Sequence, residues 1–500
     1  MTCGAESSAL RLASVWRLIV LAISAPLLVA LLIVLWRTPF PLSEGVSLIE
    51  DVERNPPSHF LAADTAYYRP LFHITLSTMW RHARSPESAV QIIKLLHIVP
   101  VALVVVLFIW HLRPRDAIDA GAAMVAVAVL VGAPAFRDNL EIPLSYTTIG
   151  IPLALLAWMI IERQHAWWHG PAIVAVLVIA VGFKEQGLVL VPVVIAAWLA
   201  GAPGVRRGTV AAVTLLGVAY LGYRFANRGS LELFQQDVGF GFTRLSPDAA
   251  VARFGSFPVA IFAYNAFATI ANVLLSEPTA GMFSATAGVV GGRPDPIALL
   301  NVVSSIAMTT VIAWWASKTW LRSARSADGS AGHSSSEPPS VGHASMSSWG
   351  PPSGGPERRI IIALVVSLLA CGALSFDYSR DRLGGMAVIF YALAAYQATR
   401  ALVQRTMDVA PSRFRIGVVG LLILAGAWQL RALNTLEGAR ETAFKNRREW
   451  ITGTAQRRVE FADRGVYLQL MDRLERQGDS ERAPQPTRYR RTAARLIRGR

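Results

Sequence analysis

The stretch SLIEDVERNPPSHFLAADTAYYRPLFHITL, Ser47–Leu76, follows directly after the first long apolar run of the chain. It combines an adjacent acid pair, Glu50 and Asp51, with a Pro-Pro bend, a Tyr pair and an Arg-Pro step. A simple connector between two helices needs only a few residues. We therefore interpret this stretch as a folded loop that carries chemistry at the water side of a membrane.

The composition around this loop is that of a protein embedded in lipid. Of the 500 residues, 53% are hydrophobic and only 16% are charged, whereas soluble domains carry about a quarter charged residues. The apolar runs are close to the roughly 20 residues that a helix needs to cross a bilayer, and they are too long for barrel strands of about 9–11 residues. The sequence therefore predicts an all-α polytopic membrane protein.

The formal net charge of +15 arises mainly from arginines in loops and in the C-terminal region. In a membrane protein, topology and anionic lipid headgroups explain such an excess, and no nucleic-acid-binding motif accompanies it. We expect membrane lipid as a partner and no nucleic acid. The two cysteines, Cys3 and Cys371, do not indicate a disulfide framework.

The first apolar run sets the predicted topology. Arg11 and Arg17 precede Leu18–Trp36, and no small-residue cleavage site follows this run, so we expect a retained anchor with a cytoplasmic N-terminus. The apolar runs predict about eleven transmembrane helices by length. Leu71–Trp80 is too short to cross and predicts an amphipathic helix at the interface. For Pro258–Leu275 we favour a re-entrant or interfacial helix over a crossing, because a crossing would put the next basic loop outside.

Composition divides the chain into four regions. They are a transmembrane catalytic module at residues 1–322 with the first outer loop at 37–91, a linker at 323–357, C-terminal transmembrane helices at 358–432, and a basic polar tail at 433–500. The linker is rich in Ser, Gly, Pro and His and cannot bury enough apolar surface to fold, so we expect it to be disordered and cytoplasmic. His333 and His343 are interpreted as solvated linker histidines, and no metal site is predicted.

Ionisable groups outside the basic loops and the tail collect on the predicted outer face. They are Glu50, Asp51, Glu53, Arg69, Arg137, Asp138, Glu141, Lys184, Glu185, Arg380, Asp381 and Arg382. Charges near membrane depth are costly unless they are paired or line water, so a functional site is the default hypothesis. The alternative is a set of salt bridges that ties the loops together.

A carboxylate beside several cations suits the transfer of a group away from a phosphate. The cations stabilise the charge that develops on the leaving phosphate, while the carboxylate accepts a proton from the incoming hydroxyl. The sequence motifs of serine hydrolases, zinc proteases and nucleotide-binding loops are absent from the chain. The energy for the reaction must therefore come with the substrate.

Several motifs in order resemble the GT-C superfamily of integral-membrane glycosyltransferases. They are Glu50-Asp51 followed by Asn55-Pro56, then Tyr68-Arg69-Pro70-Leu71, Leu95-Leu96-His97, Lys184-Glu185-Gln186-Gly187 and Arg380-Asp381-Arg382. The chain is especially similar to the transmembrane and tetratricopeptide-repeat O-mannosyltransferases and their bacterial relatives. It departs from them in having Glu as the first acid and in lacking tetratricopeptide repeats after the last span.

The resemblance implies a polyprenyl-phosphate-linked sugar as donor and an acceptor that attacks it on the outer face of a bacterial-type inner membrane. It implies Glu50 or Asp51 as the base, and the choice between them stays open. The groups that hold the lipid phosphate would be Arg69, Lys184 and Arg382. Further polar contacts would come from Asp138 or Glu141, from Glu185, and from Tyr68, for which anchoring at the membrane interface is the preferred interpretation.

Two other functions stay open at this point. A transporter or lipid flippase would place charged or unwound segments near the bilayer midplane, and the short apolar runs around Lys184 are the nearest match. A non-catalytic assembly protein would use the basic tail as a binding arm. The residues do not identify the sugar or the acceptor, and the acceptor is a protein, a glycan or a lipid. They also do not indicate whether the reaction needs a divalent cation.

Overall fold

The computed structural model is almost entirely helical. It describes residues 2–39, 41, 48, 51–52, 55–61, 69–84, 86–141, 148–228, 238–240, 243–255, 259–278, 283–331, 355–376, 378–408 and 411–460. Within these ranges, extended structure is limited to an antiparallel hairpin of β1, Val238–Phe240, and β2, Thr243–Leu245. The prediction of an all-α protein is thereby confirmed.

Sixteen α-helices are assigned in the described residues. The first nine are α1 Thr2–Arg37, α2 Pro70–His82, α3 Pro86–Leu112, α4 Ala117–Gly132, α5 Pro134–Glu141, α6 Gly150–Ile161, α7 His169–Phe183, α8 Leu190–Leu199 and α9 Arg207–Arg228. The others are α10 Pro247–Phe254, α11 Val259–Leu275, α12 Ser284–Val290, α13 Pro296–Ala331, α14 Pro356–Leu374, α15 Gly385–Met407 and α16 Pro411–Glu460. Short 3₁₀ helices occur at Pro57–Leu61, Glu185–Val189 and Asp381–Gly384.

Five described helices are long and apolar enough to cross a membrane. These segments are Ser14–Arg37, Ser88–Leu112, Pro296–Arg322, Asp381–Met407 and Arg415–Asn446. The number rises to seven if the bent pair α4 and α5 and the bent pair α10 and α11 each count as one span. Helices α6 and α7 and the segment Glu185–Leu199 are apolar but shorter. The count of about eleven spans therefore stays a prediction.

Helix α15 forms the centre of the bundle. Its residues 385–396 are all buried, and it packs against α4, α13 and α14. Half of the 16 residues of helix α4 are Ala or Gly, small residues that let neighbouring helices approach closely. The peripheral helices α1 and α16 instead expose large apolar side chains to the surroundings, among them Leu18, Ile23, Ile416, Leu422 and Ile423. Such exposed apolar faces fit contact with lipid chains.

The two ends of α15 define the two ends of the bundle. Arg382 precedes the helix, and Arg400 lies near its end, about 27 Å further along at a rise of about 1.5 Å per residue. Ion pairs of the second end include Arg400 with Asp119 at 2.7 Å and Arg359 with Glu162 at 2.7 Å. We refer below to the Arg382 end and the Arg400 end.

Two predicted region boundaries differ from the helix bounds. Residues 323–331, assigned to the linker, continue α13, and residues 433–460, assigned to the polar tail, continue α16. The second segment is rich in strong helix formers such as Ala, Leu, Arg and Glu. It also carries a narrow buried face that includes Thr435, Ala439 and Thr442. The Asn446 side chain donates to the Pro39 carbonyl oxygen at 3.1 Å, which places this part of α16 beside the end of α1.

Candidate active site

An ion pair between Arg69 and Glu185 joins the first loop to the turn after α7. Arg69 Nε lies 2.9 Å from Glu185 Oε2, and Arg69 Nη2 lies 2.7 Å from Oε1. The two side chains are only 13% and 17% exposed. Arg69 immediately precedes α2, whose first residue is proline, so the guanidinium is held at a fixed helix start. This bidentate geometry is the strong, orientation-specific form of an ion pair.

The turn Lys184–Gly187 folds back tightly on α7. Lys184 has an extended backbone that ends the helix, and a 3₁₀ helix starts at the next residue. A Cβ on Gly187 would lie 2.4 Å from the backbone nitrogen of Val181, so only glycine fits this close approach. The tight turn explains why the glycine of the KEQG sequence is structurally required.

The Lys184 ammonium group is buried among the other charges predicted for the site. The side chain is 5% exposed. Burial lowers the pKa of Lys184 well below its usual range, and the nearby positive charges of Arg382 and Arg69 lower it further, while Glu185 and Asp138 oppose the shift. Five predicted site residues from four separate segments therefore lie close enough to interact electrostatically.

The segment before α15 is fixed to this cluster through the backbone of Arg382. Its amide nitrogen donates to Asp138 Oδ2 at 2.8 Å. Its carbonyl oxygen accepts from Asn139 Nδ2 at 3.2 Å and from Gln186 Nε2 at 3.3 Å. Helix α5, the KEQG turn and the Arg382 segment thus form one hydrogen-bonded unit. Asp138, predicted as a direct site contact, here positions Arg382.

Asp51 lies in a segment that is held against α2. Its carboxylate accepts a hydrogen bond from Asn55 Nδ2 at 2.8 Å. Arg81, on α2, donates from Nη2 to the carbonyl oxygens of Val52 at 3.2 Å and Asn55 at 2.8 Å. The Asp51 side chain remains 40% exposed. The carboxylate is therefore positioned and also accessible, as a base that meets an incoming substrate must be.

His73 is a site residue that the sequence argument did not identify. Its Nδ1 atom lies 3.9 Å from Asp51 Oδ2, and its ring stacks on Phe60 at a centroid distance of 4.8 Å. Burial and the charge of Arg69 lower the pKa of His73 to about 4, although Asp51 opposes the shift. The imidazole is therefore neutral near pH 7. The sequence feature that could have identified His73 is its position four residues after Arg69, which puts both residues on the same face of α2.

Other predicted site residues lie outside this cluster or outside the described residues. Glu50 and Tyr68 lie outside the described residues. Glu141 is the last residue of α5, but its side chain is also outside the described part of the structure. Arg380 packs over the ring of Tyr378 at 4.8 Å. In the described part of the chain, no group of three or more His, Cys, Asp or Glu side chains is arranged to hold a metal ion.

Comparison with known proteins identifies no relative of this chain. No protein-family model, no curated protein and no solved structure matches the chain. The resemblance to a glycosyltransferase superfamily thus rests on the short ordered motifs, and the functional argument depends on the geometry of the residues in those motifs.

Proposed function

We propose that this protein is a GT-C-type membrane glycosyltransferase, which transfers a sugar from a polyprenyl-phosphate-linked donor to an acceptor at the outer face of a bacterial inner membrane. The observation that carries the proposal is the convergence of Asp51, Arg69, Lys184, Glu185 and Arg382 at one end of the bundle. The order of these residues along the chain matches the motif order of the superfamily.

The cations supply the phosphate-binding part of the reaction. Arg69 and Arg382 each lie close enough to the buried Lys184 for their charges to act on it. Such a cluster stabilises the negative charge that develops on a leaving phosphate, and it does so most strongly where water is excluded. Glu185 holds the Arg69 guanidinium in place, which prepares the cluster before the donor binds.

The carboxylate supplies the proton-accepting part. The acceptor hydroxyl oxygen forms a bond to the anomeric carbon, and the bond from that carbon to the phosphate oxygen breaks with its electron pair on the phosphate. Asp51, or Glu50 beside it, takes the hydroxyl proton. The gap of 3.9 Å between Asp51 Oδ2 and His73 Nδ1 is too long for a direct hydrogen bond.

The directions of the helices support eleven crossings. In this proposal eleven helices each cross once, and they are α1, α3, α4, α6, α7, α8, α9, α13, α14, α15 and α16. With this count, the N-terminus and Arg382 lie at opposite ends. In this proposal α11 does not cross, because Asn265 contacts the Phe376 carbonyl at 3.1 Å and Val273 packs against Gly384, both at the Arg382 end.

The charge distribution supports a cytoplasmic Arg400 end. Basic residues concentrate at the helix ends there, and they are Arg113, Arg115, Arg163, Arg206, Arg207, Lys318, Arg322, Arg358, Arg359, Arg400 and Arg405. The positive-inside rule assigns such an end to the cytoplasm. The proposed active site then lies at the outer face, and the long helix α16 continues on that same side.

The test of this function is a transfer assay on the purified full-length protein with a polyprenyl-phosphate sugar. Arg382→Gln and Lys184→Gln are expected to lower turnover at least tenfold, since each removes a charge that stabilises the leaving phosphate. Arg84→Gln is the matched control, because Arg84 is an exposed cation just after α2. Equal turnover in all three variants would contradict the assignment.

One observation favours a second candidate, a transporter or lipid flippase. The apolar helix pair α7 and α8 is interrupted at the buried Lys184, and charged breaks between short helices are typical of substrate sites in transporters. A translocation assay with a fluorescent lipid phosphate in proteoliposomes separates the two functions. Movement of the lipid without any transfer product would favour the transporter.

A further inference from the structure

A polar cavity of about 250 Å³ lies between α5, α13 and α16. Its wall carries charges of both signs together with short hydroxyl and amide side chains, and these include Arg137, Ser276, Asp295, Asn301, Glu441 and Lys445. None of the residues proposed to bind the donor phosphate lines this cavity. Helix α5 supplies Asp138 to the proposed active site and the adjacent Arg137 to the cavity.

A fully buried guanidinium stands behind the cavity wall. Arg431 is 1% exposed and stacks on Trp428 at 3.6 Å. Among the described residues, its hydrogen-bond acceptors are neutral oxygens, those of Gly132, Ser276, Asn301, Ser304 and Ser305. Two of these five residues, Ser276 and Asn301, also line the cavity. The positive charge of Arg431 is thus separated from the cavity by a single layer of residues.

The two guanidinium groups lack an acidic partner in the described part of the chain. No described carboxylate lies within 4 Å of the side-chain nitrogens of Arg137 or Arg431, and the two cations repel each other. Asp295 in the cavity wall caps α13 and does not pair with either arginine. Its Oδ1 accepts a hydrogen bond from the Ile297 backbone nitrogen at 3.0 Å. Arg137 is half-buried and Arg431 is fully buried, and a buried cation without a counter-charge is costly, so an anion in this cavity would stabilise the arrangement.

Close packing holds Arg137 at the cavity. A Cβ on Gly438 would lie 3.1 Å from Arg137 Cδ, so the Arg137 side chain runs directly across α16 at this glycine. A Cβ on Gly132 would lie 3.0 Å from Arg431 Cβ, so the two helices also meet closely behind the cavity. The guanidinium groups are therefore held by the packing of α4, α5 and α16.

We propose that this cavity binds an anionic monosaccharide-sized group, which is a phosphate or carboxylate attached to a hydroxyl-bearing ring. Arg137 binds the anionic group, supported by the charge of Arg431. The carboxylates of Asp295 and Glu441 and the hydroxyl of Ser284 meet the ring hydroxyls. The volume lies just below the range of about 300–1,000 Å³ for drug-sized ligands, which suits a single sugar. This site is separate from the proposed active site and does not depend on the transferase assignment.

Calorimetric titration of the full-length protein in detergent tests the proposal, with glucose 1-phosphate and glucuronate as probes. We expect saturable binding of at least one of these two probes. Glucose and inorganic phosphate, titrated separately, should each bind at least tenfold more weakly because each carries half of the recognised chemistry. Binding of glucose as tight as that of both anionic sugars would overturn the proposal, and so would the absence of binding by either anionic sugar.

Three variants locate the binding site. Arg137→Gln should weaken binding at least tenfold, whereas Arg440→Gln, an exposed cation on the same helix as Glu441, should bind like the wild type. With glucuronate as the probe, Arg382→Gln should also bind like the wild type, because Arg382 belongs to the other site, which is proposed to bind a phosphate. Weakened binding in Arg382→Gln with unchanged binding in Arg137→Gln would overturn the assignment.

A cavity-filling variant tests the site without changing any charge. Ala298 lies in the wall on α13, so Ala298→Phe should fill part of the volume and abolish binding while leaving the guanidinium groups in place. Wild-type affinity in Ala298→Phe would place the ligand elsewhere and contradict the proposal. This variant keeps the test decisive if Arg137→Gln does not fold.

Discussion

Arg69 and Glu185 are 116 positions apart in the sequence, yet their side chains form a bidentate ion pair with contacts of 2.9 and 2.7 Å. The pair connects the loop that follows α1 with the turn that follows α7. A second pair, Arg359 with Glu162, has the same bidentate geometry with contacts of 2.7 and 2.8 Å at the Arg400 end. The two pairs are similarly buried, so they form a matched comparison between a proposed functional site and a structural contact.

Replacing each pair with apolar residues separates stability from activity. Glu185→Leu alone should destabilise the fold by about 3–5 kcal/mol, because it leaves a largely buried guanidinium uncompensated. Arg69→Met with Glu185→Leu should recover most of that stability, since well-packed apolar residues often replace a buried ion pair without loss. Thermal unfolding in detergent measures this recovery. Transfer activity should stay lost in the double variant, because Arg69 no longer binds the phosphate.

The control for this experiment is Arg359→Met with Glu162→Leu. We expect this double variant to recover both stability and transfer activity, because the Arg400 end contains none of the proposed catalytic residues. If both double variants recover activity, Arg69 is a structural residue and the phosphate site has been placed incorrectly.

The charge of Lys184 predicts a limit to activity at high pH. Its pKa is lowered well below the usual value of 10.5 by burial and by Arg382 and Arg69, so the ammonium group loses its proton at a lower pH than an ordinary lysine. The value of kcat/KM should therefore fall as pH rises through this lowered pKa. In Lys184→Arg, the guanidinium stays charged, and the fall should move to higher pH. Identical pH profiles for both proteins would contradict a phosphate-binding role.

His73 predicts a loss of stability at acidic pH. Its pKa falls from 6.5 in the unfolded chain to about 4 in the folded protein, so the unfolded chain binds more protons between these values. Stability should drop as pH falls from about 6.5 towards 4, by up to about 3 kcal/mol from this residue. His73→Gln should show a shallower dependence in unfolding experiments between pH 4 and 7. An unchanged slope would mean that His73 is not buried as the structure places it.

Arg81 is predicted to position Asp51 without touching substrate. It binds the carbonyl oxygens of Val52 and Asn55, so Arg81→Gln should loosen the segment that carries the carboxylate. A displacement of about 1 Å at a reacting group costs roughly 100-fold in rate, so we expect a fall in kcat of about 10-fold to 100-fold with little change in donor KM. Arg84→Gln is again the control. A rise in KM at constant kcat would instead indicate that Arg81 binds the donor.

The features that the sequence predicted well are those with a local signal. A helix expected at Leu71–Trp80 is present as α2, Pro70–His82, because a proline fixes its first turn. The expectation that Arg69, Lys184 and Arg382 lie at the same face came from the predicted topology, which put all three on the outer side. The pairing of Arg69 with Glu185 did not follow, because motif order gives no information on which charges neutralise each other.

The features that the sequence did not predict depend on tertiary packing. The polar tail was predicted to begin at residue 433, just after Arg431, yet α16 continues past this boundary and the Arg431 guanidinium is buried among five oxygen acceptors. His73 gives no distinct signal by itself, since a histidine in an amphipathic helix is common. The bent and shortened helices, such as α6 with 12 residues and α8 with 10, fall below the length criterion that a straight crossing would satisfy.

The most direct test of the proposed function measures turnover of a radiolabelled polyprenyl-phosphate sugar by the purified protein. We compare the wild type with the double variant Glu50→Gln and Asp51→Asn, which removes both carboxylates while keeping their size. We expect the wild type to release polyprenyl phosphate and form a glycosylated acceptor, and the double variant to do so at least 100-fold more slowly. Unchanged turnover in the double variant would contradict the proposed function.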